Sequence, residues 1–394
     1  MVQIDFGAAL RQASRSRPSD MPAVLTMAAG ALGASDVVVY LVDFGQTALE
    51  PLPDLATHAA VPEREAVTGS MAGRAYTEHA VVVAERGDSV RIWAPIIEGS
   101  DNTGVLALTV SQSSPEIERC CAELGLLAGY LIAAQSRNTD VYNLYRRRHA
   151  MSLAASMQWD LLPPLVLTTE NVRVAGLVEP AYDVGGDCFD YAFNAAILDL
   201  AIMDAVGHGL GSAVIASLAM GTYRHSRREG RPLSTMHHDV GGALHDHLPD
   251  ITFSTGLLAR LDTDSGTLTW TNAGHPLPLL VRGGRVVKTL HAKPTPPWGI
   301  LDLDPELGTE DLEPGDLLVF YTDGVIEGRT PDGDLFGADR LADIITRHAS
   351  EQLAPEAIAR NLVQSVRDHQ QHELADDATL LLVQWDGPSP GSVA

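Results

Sequence analysis

Apolar and polar positions change period from one stretch of the chain to the next. "MPAVLTMAAGALGA" has helical spacing and "DVVVYLVD" follows as a strand, with further strands predicted at "AVVVAE", "RIWAPII" and "GVLALTV". Residues from about 20 to 113 therefore predict a small α/β domain with an antiparallel sheet. From Glu116 the spacing turns helical: Ile117, Cys120, Leu124, Leu127, Leu131 and Ala134 fall at three- and four-residue steps. Val141, Leu144, Met151, Ala155, Trp159 and Leu162 continue the series after a polar interruption. "LLPPL" closes it, because its second proline cannot sit inside a helix. The pattern predicts roughly 45 residues of helix, long for a spacer. An apolar seam of that length either pairs with a second copy as a coiled coil or packs on its own domains; both readings stand.

Beyond about Val166 the chain alternates strands and turns. Strands are predicted at "VRVAGLV", "AAILDLAIMD", "FSTGLLARLD", "GTLTWTNAG", "PLLVRGG", "DLLVFYTDG" and "DATLLLVQ". Helices are predicted at "GSAVIASLAMGTYRHSRR", "LADIITRHA" and "PEAIARNLVQSVRDH". Consecutive strands favour an antiparallel core with helices outside it, an α+β arrangement.

Composition narrows the function. Of 394 residues, 45% are hydrophobic and 20% charged, which excludes a largely disordered chain. The net charge of -24 repels phosphate backbones and anionic headgroups, so neither nucleic acid nor membrane is expected as a partner. Cys120, Cys121 and Cys188 are too few for a disulfide framework and read as packing residues in a reducing compartment. With no signal-peptide core and no apolar run of about 18 residues, a cytoplasmic protein is expected.

The candidate chemistry is acidic. "GDLLVFYTDGVIEG" puts Asp323 where a strand runs out, either as a cap for the turn or as one ligand of a dispersed site. "LAIMDAVGHGLGSA" repeats that arrangement at Asp204, "YDVGGDCFDY" places Asp187 after two glycines with Asp190 three residues on, and "LADDATLLLVQ" sets Asp376 and Asp377 at the mouth of a strand. A single Asp-Gly is usually only a turn, but their recurrence at strand ends suits hard divalent cations, which take oxygen ligands and keep several waters. No Cys/His spacing suggests zinc.

Five ordered motifs, "VGGDCFDY", "DAVGHGLGSAVIA", "TNAGHPLPLL", "LVFYTDGVIEG" and "DDATLLLV", make the stretch from about 165 to 386 resemble the SpoIIE-like bacterial branch of the metal-dependent protein phosphatases (PPM, or type 2C). The resemblance implies a β-sandwich with flanking helices, a pair of Mn²⁺ or Mg²⁺ ions at one edge, and hydrolysis of phosphoserine or phosphothreonine on a protein. Carried over to this chain, Asp204 bridges both metals, the Ala205 carbonyl reaches one of them, and Asp187, Asp323 and Asp376 serve the same site. Asp377 ranks second, at a position where the family also has asparagine. The substrate implied is an anti-sigma-factor antagonist, placing the enzyme in sigma-factor regulation. The chain departs from the family mildly at Val206 and Cys188, and neither change removes a ligand oxygen. His208 and His275 are candidates for donating a proton to the leaving alkoxide, or for holding family turns by hydrogen bonding.

Residues 20–135 resemble a GAF-type sensor domain more diffusely, through "GRAYTEHAVVVAE" and "RIWAPIIEGSDNTGVLALTV". His58 and His79 are isolated and argue for no haem or metal there, and neither a small ligand nor a partner of this domain is disclosed. The expected layout is an N-terminal tail (1–19), the GAF-like domain, a helical linker (136–164), the phosphatase domain (165–386) and a disordered tail (387–394). The linker is the expected route of sensor control, a homodimer through its helices is one of the two readings of its seam, and its basic run Arg146 to Arg148 reads as a solvated face. The competing reading is a non-catalytic signalling scaffold that keeps the phosphatase fold, and a small-molecule phosphohydrolase lacks support from any Walker motif.

Overall fold

A computed structural model describes residues 4–54, 61–99, 101–180, 182, 185–248, 252–371, 374 and 376–388. His58 and residues 389–394 of the expected tail lie outside the described residues. The chain divides into two compact units, Met1–Ala150 and Met151–Ala394. No described helix is long and apolar enough to cross a membrane.

The first unit contains α1 (Phe6–Ala13), α2 (Met21–Ala29), β1 (Ser35–Val42), β2 (Ala48–Leu52), β3 (Glu65–Ala66), α3 (Met71–Glu78), β4 (Val82–Arg86), β5 (Ser89–Glu98), β6 (Asp101–Val110), α4 (Pro115–Ser136) and α5 (Val141–Arg146). Its strands form one sheet in the order β3-β2-β1-β6-β5-β4, every neighbouring pair antiparallel. One face packs on α1, α2 and α4 through Ala9, Leu25, Leu106 and Leu124; the other carries Trp93, Tyr40 and Tyr76 of α3. Residues 6–13, expected as part of a tail, form α1 instead, because Ala9 and Ala13 are buried in that core. His79 ends α3 in a left-handed conformation with φ 52°, a structural position.

The long helical run is a correction. It is three helices, α4, α5 and α6 (Leu153–Leu161), and the last belongs to the second unit. Short polar side chains stop each piece: Thr139 Oγ1 accepts from Val141 N at 3.2 Å, and Ser152 Oγ accepts from Ala155 N at 3.0 Å. Such oxygens satisfy the orphan amides of a new helix start and compete with continuation of the old one.

The second unit continues with β7 (Val166–Thr168), β8 (Val172–Glu179), β9 (Asp187–Asn194), β10 (Ile197–Ala205), α7 (Leu210–Arg228), α8 (Leu233–His247), β11 (Ser254–Asp262), β12 (Thr267–Ala273), β13 (Leu279–Arg282), β14 (Arg285–Thr289), β15 (Gly308–Asp311), β16 (Asp316–Tyr321), α9 (Asp323–Glu327), α10 (Ala338–Ser350), α11 (Pro355–His369) and β17 (Ala378–Trp385). The strands make two sheets, β15-β12-β11-β10-β9 and β14-β13-β16-β17-β8-β7. Between them lies an apolar core: Leu200, Ile202, Leu257 and Phe189 from the first meet Val174, Leu318, Phe320 and Leu381 from the second. Helices α7 and α8 cover the outer face of the first sheet, over Met203 and Leu258. Helices α10 and α11 cover that of the second, over Val319 and Leu380. This is the antiparallel core with outer helices that the apolar pattern predicts, arranged as the sandwich that the resemblance implies.

The two-residue period of a strand then decides which way each polar residue faces. In β10, Leu198, Leu200 and Ile202 point into the sandwich, so Asp204 does too; Ala201, Met203 and Ala205 point to the helices. In β9, Phe189 points inward, so Asp187 does, while Cys188 faces the helices.

Candidate active site

The inward row of each sheet ends in oxygen at the same end of the sandwich. In the first sheet, Asp187 and Asp204 are direct cross-strand partners. In the second, Thr322 extends the inward row of β16 past Phe320, and Asp377 precedes β17. A hydrogen bond joins the two sheets there: Thr322 Oγ1 donates to Asp187 Oδ2 at 2.6 Å and accepts from Thr379 N at 2.9 Å.

Around this link the turns pack without room for side chains. Asp377 Oδ2 accepts from Gly186 N at 2.9 Å and, more weakly, from Asp187 N at 3.4 Å, so it closes the double-glycine turn from the other sheet. A Cβ on Gly186 would stand 2.9 Å from the Ala205 carbonyl, and one on Gly324 would stand 1.9 Å from the Asp377 carbonyl. Only glycine permits either approach. Asp376, exposed, accepts from Asp377 N at 2.9 Å, and Asp323 is half-buried at the first position of α9.

Electrostatics show that the carboxylates act on one another. Burial pushes Asp204 up to about 7, assisted by the charges of Asp323 and Asp376, while a hydrogen bond with Asp187 opposes the shift. Asp187 is raised well above the usual carboxylate range by complete burial and then by Asp204 and Asp377. Asp377 is pushed up to about 6, again chiefly by burial, and Asp323 is raised by burial, Glu327 and Asp376. Such shifts mark negative charge gathered in a poorly solvated place.

The structure thus brings Asp187, Asp204, Ala205, Asp323, Asp376 and Asp377 to one end of the sandwich. It sets Asp190 apart: three residues after Asp187, that carboxylate lies among the helices, held by Arg224 at 2.7 Å and Arg227 at 2.6 Å on α7. His208 is exposed in the turn before α7. His275 is buried, and burial pushes it down to about 3, so the ring is neutral and is not the imidazolium that a general acid needs. Cys188 is fully buried, which pushes its thiol up and leaves it inert, in keeping with a packing role.

Three contributors were not legible in the sequence. Thr322 is a plain hydroxyl inside "YTDG" whose partner lies 135 residues away. Gln158 of α6, also buried, donates from Nε2 to the Asp187 carbonyl at 2.6 Å. Glu327 follows Asp323 by one helical turn and raises it. Only the Glu327 spacing carries a signal that sequence reasoning could have used.

The donor set is all oxygen, and Asp377 Oδ1 is buried without a hydrogen-bond partner among the described residues. Mutually repelling carboxylates with an orphaned oxygen fit a hard divalent cation. Among the described residues, no three His, Cys, Asp or Glu side chains form a cluster able to hold an ion by themselves.

Residues 196–386 match the family model described as Stage II sporulation protein E (SpoIIE). The chain is 25% identical over 260 residues to phosphoserine phosphatase RsbU of Bacillus subtilis (strain 168), covering 66% of this chain and 77% of RsbU. It is 24% identical over 246 residues to phosphoserine phosphatase RsbP of the same organism, covering 60% of this chain and 58% of RsbP, less than two thirds of that protein. Among solved structures, the SiaA-PP2C domain of Pseudomonas aeruginosa superposes with a TM-score of 0.51 at 24% identity, covering 65% of this chain and 100% of that one. The last likeness concerns the fold alone. Over residues 196–386 the C-terminal unit is thus similar to the SpoIIE family, and over 260 residues the chain is similar to a phosphoserine phosphatase.

Proposed function

We propose that the chain is a metal-dependent protein serine/threonine phosphatase whose activity is set by its N-terminal unit. The observation that carries this reading is the convergence of Asp187, Asp204, Asp323 and Asp377 from four separate segments at one end of the sandwich, each raised by burial and neighbouring charge. Two Mn²⁺ or Mg²⁺ ions, when bound, supply a water of lowered pKa and neutralise the phosphoryl oxygens. Asp187, Asp204, Asp323, Asp376 and the Ala205 carbonyl would hold them, and Asp377 would hold the glycine turn. Thr322 fixes the Asp187 carboxylate, and Asp377 fixes the backbone that leads into it. Preset oxygens of this kind lower the reorganisation needed at the reacting phosphoryl group.

The substrate we propose is a phosphoserine- or phosphothreonine-bearing protein of the anti-sigma-factor-antagonist type. Support comes from RsbU and RsbP, both called phosphoserine phosphatases. The test is hydrolysis of p-nitrophenyl phosphate and of a phosphoprotein by the full chain, with and without Mn²⁺, beside Asp204→Asn. Metal-dependent activity absent from the variant supports the reading. A folded, Mn²⁺-binding protein with no activity on either substrate would favour the scaffold.

A further inference from the structure

His275 is not used by the chemistry above, yet it occupies a costly place. It is buried at 5% exposure in the turn after β12, and its main chain is clamped from both sides by Asn272. Asn272 Nδ2 donates to the His275 carbonyl at 2.9 Å, and His275 N donates to Asn272 Oδ1 at 2.8 Å. Gly274, with φ +67°, makes the turn that returns the ring to the sandwich, and a Cβ there would press on Pro297 at 3.1 Å. The base of the side chain is therefore fixed, and so is the direction of its ring.

The ring reaches β11, the strand paired with that of Asp204. Its Nδ1 lies 2.9 Å from Thr255 Oγ1, and Thr255 is the direct cross-strand partner of Asp204. Directly paired residues project to the same face, so Thr255 and the Asp204 carboxylate stand side by side on the inner face of the first sheet. The neighbouring Ser254 Oγ donates to the Asp204 carbonyl at 2.8 Å, so the Asp204 backbone is tied to this strand as well. Nε2 is buried and has no hydrogen-bond partner among the described residues.

We infer that His275 is a positioning residue, setting Asp204 through Thr255, its direct partner on the paired strand. The ring neither carries charge nor meets the substrate. The inference rests on the proposed metal site.

The experiment uses the full chain and Mn²⁺ alone as the probe. Binding is followed by the loss of the free-ion electron paramagnetic resonance signal, with thermal unfolding of the metal-free protein and hydrolysis of p-nitrophenyl phosphate beside it. Thr255→Val keeps the shape of the side chain and removes the hydroxyl; Thr255→Ser keeps the hydroxyl. The expected result is a five- to tenfold weaker Mn²⁺ midpoint in Thr255→Val and His275→Phe, restoration in Thr255→Ser, and a kcat at saturating Mn²⁺ within about twofold of the parent. Variants that lose thermal stability but keep the parent Mn²⁺ midpoint would overturn the inference and leave His275 a packing residue. A kcat collapse at saturating Mn²⁺ with an unchanged midpoint would overturn it too, by giving the ring a part in the chemistry. A parent protein that binds no Mn²⁺ would instead remove the metal reading on which the inference stands.

Discussion

Thr322 Oγ1 and Asp187 Oδ2, 2.6 Å apart, form a buried bond between the two sheets at the acidic end of the sandwich. The same hydroxyl accepts from Thr379 N, so it is donor and acceptor at once and its rotamer is determined. Thr322→Val retains the β-branched shape and removes both bonds. It leaves Thr379 N and one Asp187 oxygen unsatisfied, at a cost of about 1–3 kcal/mol. We expect a lower denaturation midpoint and weaker Mn²⁺ binding, with Thr322→Ser close to the parent in both. Parent-like behaviour of the valine variant in urea titration and metal binding would refute the assignment.

Asp187 and Asp190 give an opposite pair of expectations from one short motif. Asp190 is 3% exposed beside Arg227 at 9%, and its loss strands a guanidinium in the helical layer. Asp190→Ala should therefore cost about 3–5 kcal/mol of stability, as breaking a buried pair does. Where it remains folded, it should bind Mn²⁺ as the parent does. Asp187→Ala should abolish tight Mn²⁺ binding at a smaller cost in stability, because relief of repulsion with Asp204 and Asp377 offsets the lost Thr322 bond. Differential scanning calorimetry and metal titration on both variants separate the two roles.

That contrast shows what was legible in the sequence and what was not. Apolar runs such as Leu317 to Phe320 marked the strands, and glycine beside aspartate marked the turns at Asp204 and Asp323. "VGGDCFDY" read only as a turn, because its polar residues hide the strand β9. Without that strand, Asp187 and Asp190 could not be assigned to opposite faces. Helix α8 was also missed: "LSTMHHDVGGALHDH" is rich in histidine and glycine, yet Met236, Val240 and Leu244 are buried at helical spacing. Its His237 is satisfied inside the protein by Thr295 at 3.0 Å, which no local pattern reveals. Hydrogen bonds between distant segments, like those of Thr322 and Gln158, leave no periodic trace.

The raised carboxylates set a pH dependence with a definite sign. Asp204 is pushed up to about 7 and Asp377 to about 6, both above their ordinary values near 4, so between those limits the folded state holds protons that the unfolded chain has released. The stability they contribute is full below about pH 4 and is lost as pH rises through about 6 to 7. The metal-free chain should accordingly lose thermal stability on this account from pH 4.5 to 7.5, and Asp204→Asn should flatten the decline. Mn²⁺ should stabilise more at pH 7.5 than at pH 5.5, because binding displaces those protons. A metal-free melting curve that rises over the same range in the parent and falls in Asp204→Asn would contradict the shifts.

Cys188 sits one residue from Asp187 but offers no redox control. It is completely buried, faces α7, and its thiol is pushed up by burial and then by Asp187 and Asp190. The thiolate is the reactive form, so modification requires unfolding. Treatment with iodoacetamide should leave Cys188 unmodified in the native protein and label it fully in guanidinium, as mapped by mass spectrometry. Rapid native labelling would show that the layer over β9 opens.

Gly324 tests how tightly the turns must approach. Its place is dictated by contact: a Cβ there would lie 1.9 Å from the Asp377 carbonyl and 2.8 Å from its carbon, both main-chain atoms that cannot rotate away. Gly324→Ala must therefore move α9 and the Asp323 carboxylate with it, or push Asp377 off Gly186 N. Overpacking of this kind costs about 1–3 kcal/mol, and the displaced carboxylates should weaken Mn²⁺ binding as well. Gly221, exposed in the middle of α7 with nothing within 4 Å of the corresponding position, is the control. There alanine should stabilise by about 0.5–1 kcal/mol through helix propensity and leave Mn²⁺ binding unchanged. Equal effects of the two substitutions in urea titration and metal binding would mean that the turns at this end of the sandwich tolerate movement, and that the glycine beside Asp323 is not what fixes its position.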